Sequence, residues 1–172
     1  GVQAVMKTHD SSQTGKKDGC LAIIADVIEP EKGYEAAAEA ALGEALQYII
    51  VSDSAAGMNA IDFLKKNKAG RGGFIPINTE QPAVFNQNKP GNAKPLCSCI
   101  RVKEGFENVI KSLIKDAGVA ENIETAMAEM ASDPDFRVIA TKKGDLITSS
   151  GILIGGSTDK MAGILEKKQE IK

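Results

Sequence analysis

The chain has 172 residues, of which 42% are apolar and 26% are charged, and its net charge at pH 7 is −2. This length is typical of one domain or two small ones and allows a real core. The charge balance gives no global sign of a nucleic-acid partner, so any basic face must be local. No apolar run approaches the roughly 20 residues that cross a bilayer.

Histidine and cysteine are scarce, which bears on both chemistry and compartment. His9 is the only histidine, so a triad, a histidine base and a two-histidine metal site would all have to share it. Cys20, Cys97, Cys99 and His9 are the number of ligands that a Cys₃His zinc site needs. The spacing of Cys97 and Cys99 instead favours buried thiols on one strand face. No cofactor is expected. Sparse cysteines and no visible signal peptide predict a cytoplasmic protein.

Periodicity and capping residues predict a polar loop followed by alternating strands and helices. In chain order these are a loop at residues 8–19, a buried strand at 21–28, a helix from Gly33 to Leu46, a strand at 47–51, a helix to about Asn67, and a strand at 74–77. Ser52, Asp53 or Ser54 caps the second helix, and Gly70 is its expected C-cap. Pro76 places the last strand at an edge or a strand end.

The second part of the chain repeats this order of elements. The expected pieces are a strand at residues 96–102, a helix to about Lys115, a stub of a strand at Val119, a helix at 123–130 capped by Asn122, and strands at 136–140 and 145–154 joined by a hairpin turn. Gly33-Tyr34-Glu35 and Gly105-Phe106-Glu107 lie 72 positions apart, and each follows a strand and opens a helix. The pattern therefore predicts an α/β (α+β) fold of two similar small subdomains.

A glycine-rich segment at residues 151–158 allows two interpretations. Gly151 and Gly156 have the spacing of a phosphate-binding loop, but Ser157 stands where that motif requires lysine. The intervening Ile-Leu-Ile reads as strand, and glycines there permit close approach of another backbone, as in pairing with a second chain.

A local excess of positive charge surrounds the end of the second helix. Lys65, Lys66, Lys68 and Arg71 face only Asp62 as an opposing charge nearby. Such a cluster is usually a solvated face, yet it could also contact phosphates without reading sequence.

The motifs together resemble the hinge domain of the structural-maintenance-of-chromosomes (SMC) proteins, of the bacterial type. The segments that carry the resemblance are Gly33-Tyr34-Glu35, residues 40–47, residues 61–71, residues 74–77 and residues 151–157. It extends from about Leu21 to the C-terminus.

The resemblance implies a homodimer in which the first subdomain of one copy pairs strands with the second subdomain of the other. It implies an interface at Gly151, Gly155, Gly156, Gly70, Gly72, Gly73 and Phe74. It also implies weak, sequence-independent DNA binding, for which the candidates are Lys65, Lys66, Lys68, Arg71 and Lys160. No catalytic residue, metal or membrane contact is implied, because the ATPase heads of such proteins lie elsewhere.

On this basis we expect five segments. They are an N-terminal segment with a polar loop at 1–20, subdomain I at 21–80, a linker at 81–95, subdomain II at 96–157, and the start of a returning coiled-coil helix at 158–172. The expected function is a dimerisation hinge of a chromosome condensation and segregation ATPase, cytoplasmic and associated with the nucleoid. The alternative is a small phosphate- or nucleotide-binding protein that uses residues 151–158.

Overall fold

A computed structural model of the chain describes residues 19–78, here called the first half, and residues 92–156, the second half. The first half contains β1 (Cys20–Ile23), α1 (Ile24–Val27), β2 (Ile28–Pro30), α2 (Glu35–Leu42), a 3-10 helix (Gly43–Gln47), β3 (Ile49–Val51), α3 (Ser54–Lys66) and β4 (Phe74–Pro76). The second contains β5 (Lys94–Pro95), a 3-10 helix (Leu96–Cys99), β6 (Ile100–Val102), α4 (Glu107–Ile114), β7 (Ala117–Ala120), α5 (Ile123–Ser132), β8 (Val138–Thr141), β9 (Leu146–Thr148) and β10 (Leu153–Ile154).

Each half builds its own sheet, and a ribbon joins them. The first sheet has the order β1-β3-β4 and the second has the order β10-β9-β8-β7-β5. In each sheet one adjacent pair is parallel, β3 with β4 and β7 with β8, and the remaining pairs are antiparallel. Strand β2 of the first half pairs antiparallel with β6 of the second. The α/β fold of two similar subdomains is therefore confirmed.

The repeated tripeptides form the same turn in both halves. Gly33 and Gly105 each have φ +88°, a left-handed conformation that glycine adopts without steric cost. The Gly33 N–H donates to Glu35 Oε2 at 2.7 Å, and the Gly105 N–H donates to Glu107 Oε2 at 2.9 Å. The glutamate thus closes the turn that opens each helix, which is why the three residues recur together.

The second helix of each half is also capped in the same way. Asp53 Oδ1 accepts the Ala56 N–H at 2.8 Å, and Asn122 Oδ1 accepts the Thr125 N–H at 2.8 Å. A side-chain oxygen at this position satisfies a donor that the first helical turn leaves unpaired. Both predicted caps are confirmed, with Asp53 the one chosen from its three candidates.

One apolar cluster extends across both halves. It includes Ala38 and Leu42 of α2 together with Val138, Ala140 and Leu146 of the second sheet. Helix α2 of the first half packs directly against β8 of the second. The alanines of α2 allow this close helix–sheet approach, so the two halves share this cluster, while two smaller clusters lie within single halves.

Several predicted element boundaries were wrong. The strand expected at residues 21–28 is interrupted by α1, because the chain must leave the first sheet and enter the β2–β6 ribbon within a few residues. For the same reason a 3-10 helix replaces the first part of the strand expected at 96–102. The long first helix ends at Leu42, where Gly43 has φ +50°.

The second half contains two further differences. The stub expected at Val119 is a four-residue strand, β7, with every residue buried and with β8 and β5 as its neighbours in the second sheet. The single strand expected at residues 145–154 is two strands, because Gly151 at φ +82° turns the chain between β9 and β10. The hairpin turn expected between β8 and β9 is confirmed, with Gly144 at φ +91°.

Candidate functional site

Strand β10 is an apolar edge. It pairs with β9 on one side, and no described strand covers the other. Ile152, Leu153 and Ile154 are 56%, 55% and 55% exposed, three consecutive large apolar side chains on the surface. An exposed apolar strand edge is a template for pairing with another chain. The interface residues predicted from the sequence, six glycines and Phe74, do not include these side chains, although Ile-Leu-Ile between glycines was the signal.

The backbone of β10 offers hydrogen-bonding groups at this edge. Thr148 N–H donates to Ile152 O at 3.0 Å, and Leu153 lies opposite Ile147. Because bonded and non-bonded pairs alternate along an antiparallel ladder, the Leu153 N–H and C=O point away from β9. The edge therefore combines apolar side chains with outward-facing backbone groups.

The glycines around β10 have different roles. Gly151 and Gly156 have φ +82° and +122°, and a Cβ built on either meets nothing within 4 Å among the described residues. A Cβ on Gly155 would collide with Oδ1 of Asp145 in the same chain. A larger residue at position 155 would thus displace the Asp145 carboxylate at the turn between β8 and β9, a contact within one protomer.

Strand β4 is the second exposed edge. It pairs only with β3 in the first sheet, which confirms the edge position that Pro76 predicted. Ile49 N–H donates to Gly73 O at 2.9 Å, and Ile77 N–H donates to Val51 O at 2.8 Å. Since Gly73 and Ile77 face β3, the alternation of a strand directs the backbone of Phe74 to the free side.

The glycines before β4 are mostly needed inside the protomer. A Cβ on Gly73 would enter the ring of Tyr48, and one on Gly72 would lie 3.3 Å from Leu64 Cδ1. Gly70 has φ +84° in the loop that follows α3. These glycines let the chain pass close beneath an aromatic ring, so their presence alone does not identify an interface.

Comparison of the two halves shows why β4 is bare. Strands β4 and β8 hold equivalent places, each parallel to the strand that precedes the capped helix. In the second half β9 covers the far edge of β8 in antiparallel orientation. The first half has no described strand in that place. The β9–β10 hairpin therefore closes one edge and creates another.

The basic cluster lies at the end of α3. Lys65, Lys66, Lys68 and Arg71 are all exposed, and none pairs with a carboxylate within the described residues. Lys160, the fifth candidate, lies outside the part of the chain that the structure describes. The structure thus brings four of the five predicted cations into one neighbourhood.

Lys68 has an unexpected backbone conformation. Its φ is +51°, the only positive φ among the described residues other than glycine. Lys68 N–H donates to Lys65 O at 3.2 Å, and Ala69 N–H donates to Leu64 O at 3.0 Å, the two bonds of a Schellman motif. The C-cap expected at Gly70 was therefore wrong: the helix is closed two residues earlier, and a lysine holds the position where glycine is usual.

An open groove of about 510 Å³ lies beside the start of β4. It is lined by Glu44, Gln47, Tyr48, Arg71, Gly72 and Gly73. Glu44 and Arg71 put opposite charges on its walls, and neither forms an ion pair with another described residue. Two of its lining residues, Gly72 and Gly73, directly precede β4.

Cys97 and Cys99 were expected to share one face of a strand, and this prediction was wrong. Cys97 and Cys99 lie in a 3-10 helix, where Cys99 is buried and Cys97 is half-buried. Burial raises the pKa of the Cys97 thiol, which keeps it protonated at neutral pH. Among residues 19–78 and 92–156 no three His, Cys, Asp or Glu side chains are grouped to hold a metal ion.

Residues 151–156, the described part of the possible phosphate loop, form a turn and an edge strand. No helix in the described residues is long and apolar enough to span a membrane.

The family model described as "SMC proteins Flexible Hinge Domain" matches residues 17–129. The chain belongs to the SMC hinge family. Curated relatives agree with this assignment, and the hinge covers only a small part of each. The chain is 32% identical over 99% of its length to the chromosome partition protein Smc of Myxococcus xanthus and spans 14% of that protein. The corresponding values for Smc of Halothermothrix orenii are 30%, 91% and 13%.

Solved structures share the fold of this hinge. An asymmetric dimer of the Geobacillus stearothermophilus SMC hinge domain matches with a TM-score of 0.80 and 25% identity, covering 99% of this chain and 69% of that one. The Pyrococcus furiosus Smc hinge domain with an extended coiled coil matches with a TM-score of 0.72 and 25% identity, covering 98% and 60%. Neither the relatives nor these structures support the nucleotide-binding alternative.

Proposed function

We propose that this hinge is a homodimerisation module, in which β4 of one copy pairs with β10 of a second copy. The observation that carries the proposal is that β4 and β10 are edge strands, one in each half, whose backbone groups at Phe74 and Leu153 face away from their own sheets. A two-fold axis would form this contact twice, because each copy supplies one β4 and one β10. The asymmetric dimer of the Geobacillus stearothermophilus hinge supports self-association of this fold.

The chemistry of the two edges favours pairing with each other. Phe74 and Leu153 both direct backbone groups to the free side, and an added strand would satisfy them. Ile152, Leu153 and Ile154 would lose their exposed area in the same contact. Burying apolar surface contributes about 25 cal/mol per Å², so three such side chains account for a substantial part of a stable interface.

The wider role follows from the family and remains our proposal. The hinge would join the two coiled-coil arms of a cytoplasmic, nucleoid-associated SMC protein, with the segment at 158–172 beginning the returning arm and the segment at 1–20 leaving the other. The division into subdomains at 21–80 and 96–157, with a linker at 81–95, belongs to the same proposal. The hinge itself would perform no catalysis.

The experiment for dimerisation measures molar mass by light scattering over a concentration series. The wild-type chain should have about twice 18.1 kDa. Leu153→Asp with Ile154→Asp should yield a folded monomer, because two carboxylates would have to be desolvated at the contact. Met127→Asp is the control for an added charge, since Met127 is also exposed, at 47%, but lies on helix α5 and on neither edge strand. A wild-type monomer at high concentration would overturn the proposal.

We also propose weak, sequence-independent DNA binding by the basic cluster at the end of α3, with Lys65, Lys66 and Lys68 as its phosphate contacts. Their support is exposure, proximity and the lack of described carboxylate partners. Phosphate contacts release counterions, so the binding constant should fall steeply with salt. Replacing Lys65 and Lys66 by alanine should reduce the magnitude of the log K against log [salt] slope by roughly 2. An unchanged slope would show that Lys65 and Lys66 do not contact the phosphates of DNA.

A further inference from the structure

We infer that the groove beside β4 receives the residues that follow β10 in a second copy, Ser157 to Lys160, through two ion pairs. Arg71 would bind the partner's Asp159, and Glu44 would bind the partner's Lys160. This inference rests on the proposed β4–β10 contact and extends it beyond the strands. It also assigns Arg71 and Lys160 to the dimer, although both were candidates for DNA.

The direction of the added strand comes from the internal repeat. In the second half, β9 lies antiparallel on β8 and leaves it at Arg137, whose carbonyl accepts the Ser149 N–H at 2.9 Å. Strand β4 is the equivalent of β8, and its edge is free. A strand that takes the same place on β4 therefore runs antiparallel and leaves past Gly73 and Gly72.

That exit is the groove. Its lining comes from two segments, Arg71, Gly72 and Gly73 directly before β4, and Glu44, Gln47 and Tyr48 in and after the first 3-10 helix. If β10 of a second copy is the added strand, the chain emerging here is Gly155-Gly156 and then Ser157-Thr158-Asp159-Lys160. At about 3.3 Å per residue, a few residues suffice to cross a groove of this size.

The charges of the groove and of this segment are complementary. Glu44 and Arg71 are both exposed and have no ion-pair partner among the described residues. The incoming segment carries one acid and one base next to each other, Asp159 and Lys160. Opposite charges across an interface fix its register and slow its dissociation when they are partly desolvated.

The test exchanges the charges in the full chain and measures subunit exchange. Two populations labelled with different fluorophores are mixed, and energy transfer reports the exchange rate. Arg71→Glu and Asp159→Arg should each accelerate exchange about tenfold. Each replaces an attraction that slows dissociation a few-fold by a repulsion of similar size. The double variant should return to within about twofold of wild type. Glu44→Lys with Lys160→Glu makes a second, independent cycle.

Lys32→Glu is the matched control for the loss of a positive charge, since Lys32 is exposed in the turn before α2. It should exchange at the wild-type rate. A double variant that exchanges as fast as the faster single variant would overturn the inference while the dimer itself stands. A wild-type chain that shows no energy transfer at any concentration would instead refute the proposed dimer.

Discussion

Glu29 and Arg101 lie directly opposite each other at the centre of the β2–β6 ribbon, 72 positions apart. Gly33 and Gly105 have the same separation, so a local two-fold axis passes between Glu29 and Arg101. The bonds that flank the ribbon obey the same symmetry: Glu31 N–H donates to Cys99 O at 2.9 Å, and Lys103 N–H donates to Val27 O at 2.8 Å. If the first half paired with a second copy of itself through β2, Glu29 would face Glu29, and in the second half Arg101 would face Arg101. The chain instead places opposite charges across the axis.

Reversing one of these charges should weaken the joint between the halves. We expect Glu29→Arg to lower the free energy of unfolding by about 0.5–1 kcal/mol, because like charges directly opposite on paired strands repel. Chemical denaturation monitored by circular dichroism measures the change. Glu29→Arg with Arg101→Glu should recover most of the loss. Equal stability of the single and double charge reversals would show that the cross-strand pair has no influence.

Strand β10 offers a substitution that separates the edge from the fold. We expect Leu153→Pro to abolish dimerisation while the protomer stays folded, because proline removes the outward Leu153 N–H and leaves the bonds to β9 intact. Leu153→Ala is the matched control, since it also truncates the side chain but keeps the N–H. Light scattering distinguishes them, and the idea fails where both variants have the same mass at every concentration.

The two helix caps predict different responses to acid. Hydrogen bonds from the Ala56 N–H and then the Ser52 hydroxyl hold the pKa of Asp53 below its ordinary value of 3.8. A depressed pKa adds stability that is present at neutral pH and is lost as the pH falls below about 4. Asp53→Asn should flatten this part of the acid-unfolding curve and keep most of the stability at pH 7.

The second half provides the reciprocal change. Asn122 occupies the equivalent cap and does not titrate, so Asn122→Asp should add sensitivity to acid below the same pH. Denaturation midpoints between pH 3 and pH 7 measure both effects. A flat profile for Asn122→Asp, or a wild-type slope for Asp53→Asn, would argue that caps do not control the acid response.

Lys68 is strained by its left-handed backbone, and relief of that strain should be measurable. We expect Lys68→Gly to raise the free energy of unfolding by about 1 kcal/mol, because a side chain at positive φ costs roughly that amount. Lys68→Ala keeps the strain and removes the same charge, so it should not be more stable than wild type. Thermal denaturation compares the three proteins. If Lys68→Gly and Lys68→Ala have the same melting temperature, the left-handed conformation of residue 68 does not lower the stability.

The order of elements could be predicted from the sequence because each signal was local. Asp53 and Asn122 cap helices through their own neighbours, and Gly33 and Gly105 turn the chain within a tripeptide. The interruption of the first strand by α1 was not predictable in this way. Its cause is the β2–β6 ribbon, a contact between residues far apart in the chain, and apolar residues at Ile24 and Val27 suit a strand and a buried helical turn equally.

The candidate site was predicted less completely for a similar reason. Glycine suggested a close approach of backbones, but the sequence does not reveal which backbone or ring approaches. The backbone of Gly73 lies against the Tyr48 ring, and that of Gly155 lies against the Asp145 side chain. Both contacts are within the protomer. Lys68 was invisible as a helix cap because its conformation follows from the bonds at the end of α3, where residue type favours Gly70.

The β9–β10 hairpin belongs to only one half, and this inequality gives the molecule polarity. Two identical halves would present two identical edges, and copies could add to either without limit, which is the hazard of any bare strand. With the hairpin, the two halves present unlike edges, β4 in the first half and β10 in the second. In the proposed dimer, a second copy in reversed orientation would pair both β4 edges with both β10 edges, and assembly through these strands would stop there. The added pair of strands would thus make a duplicated fold a self-limiting connector.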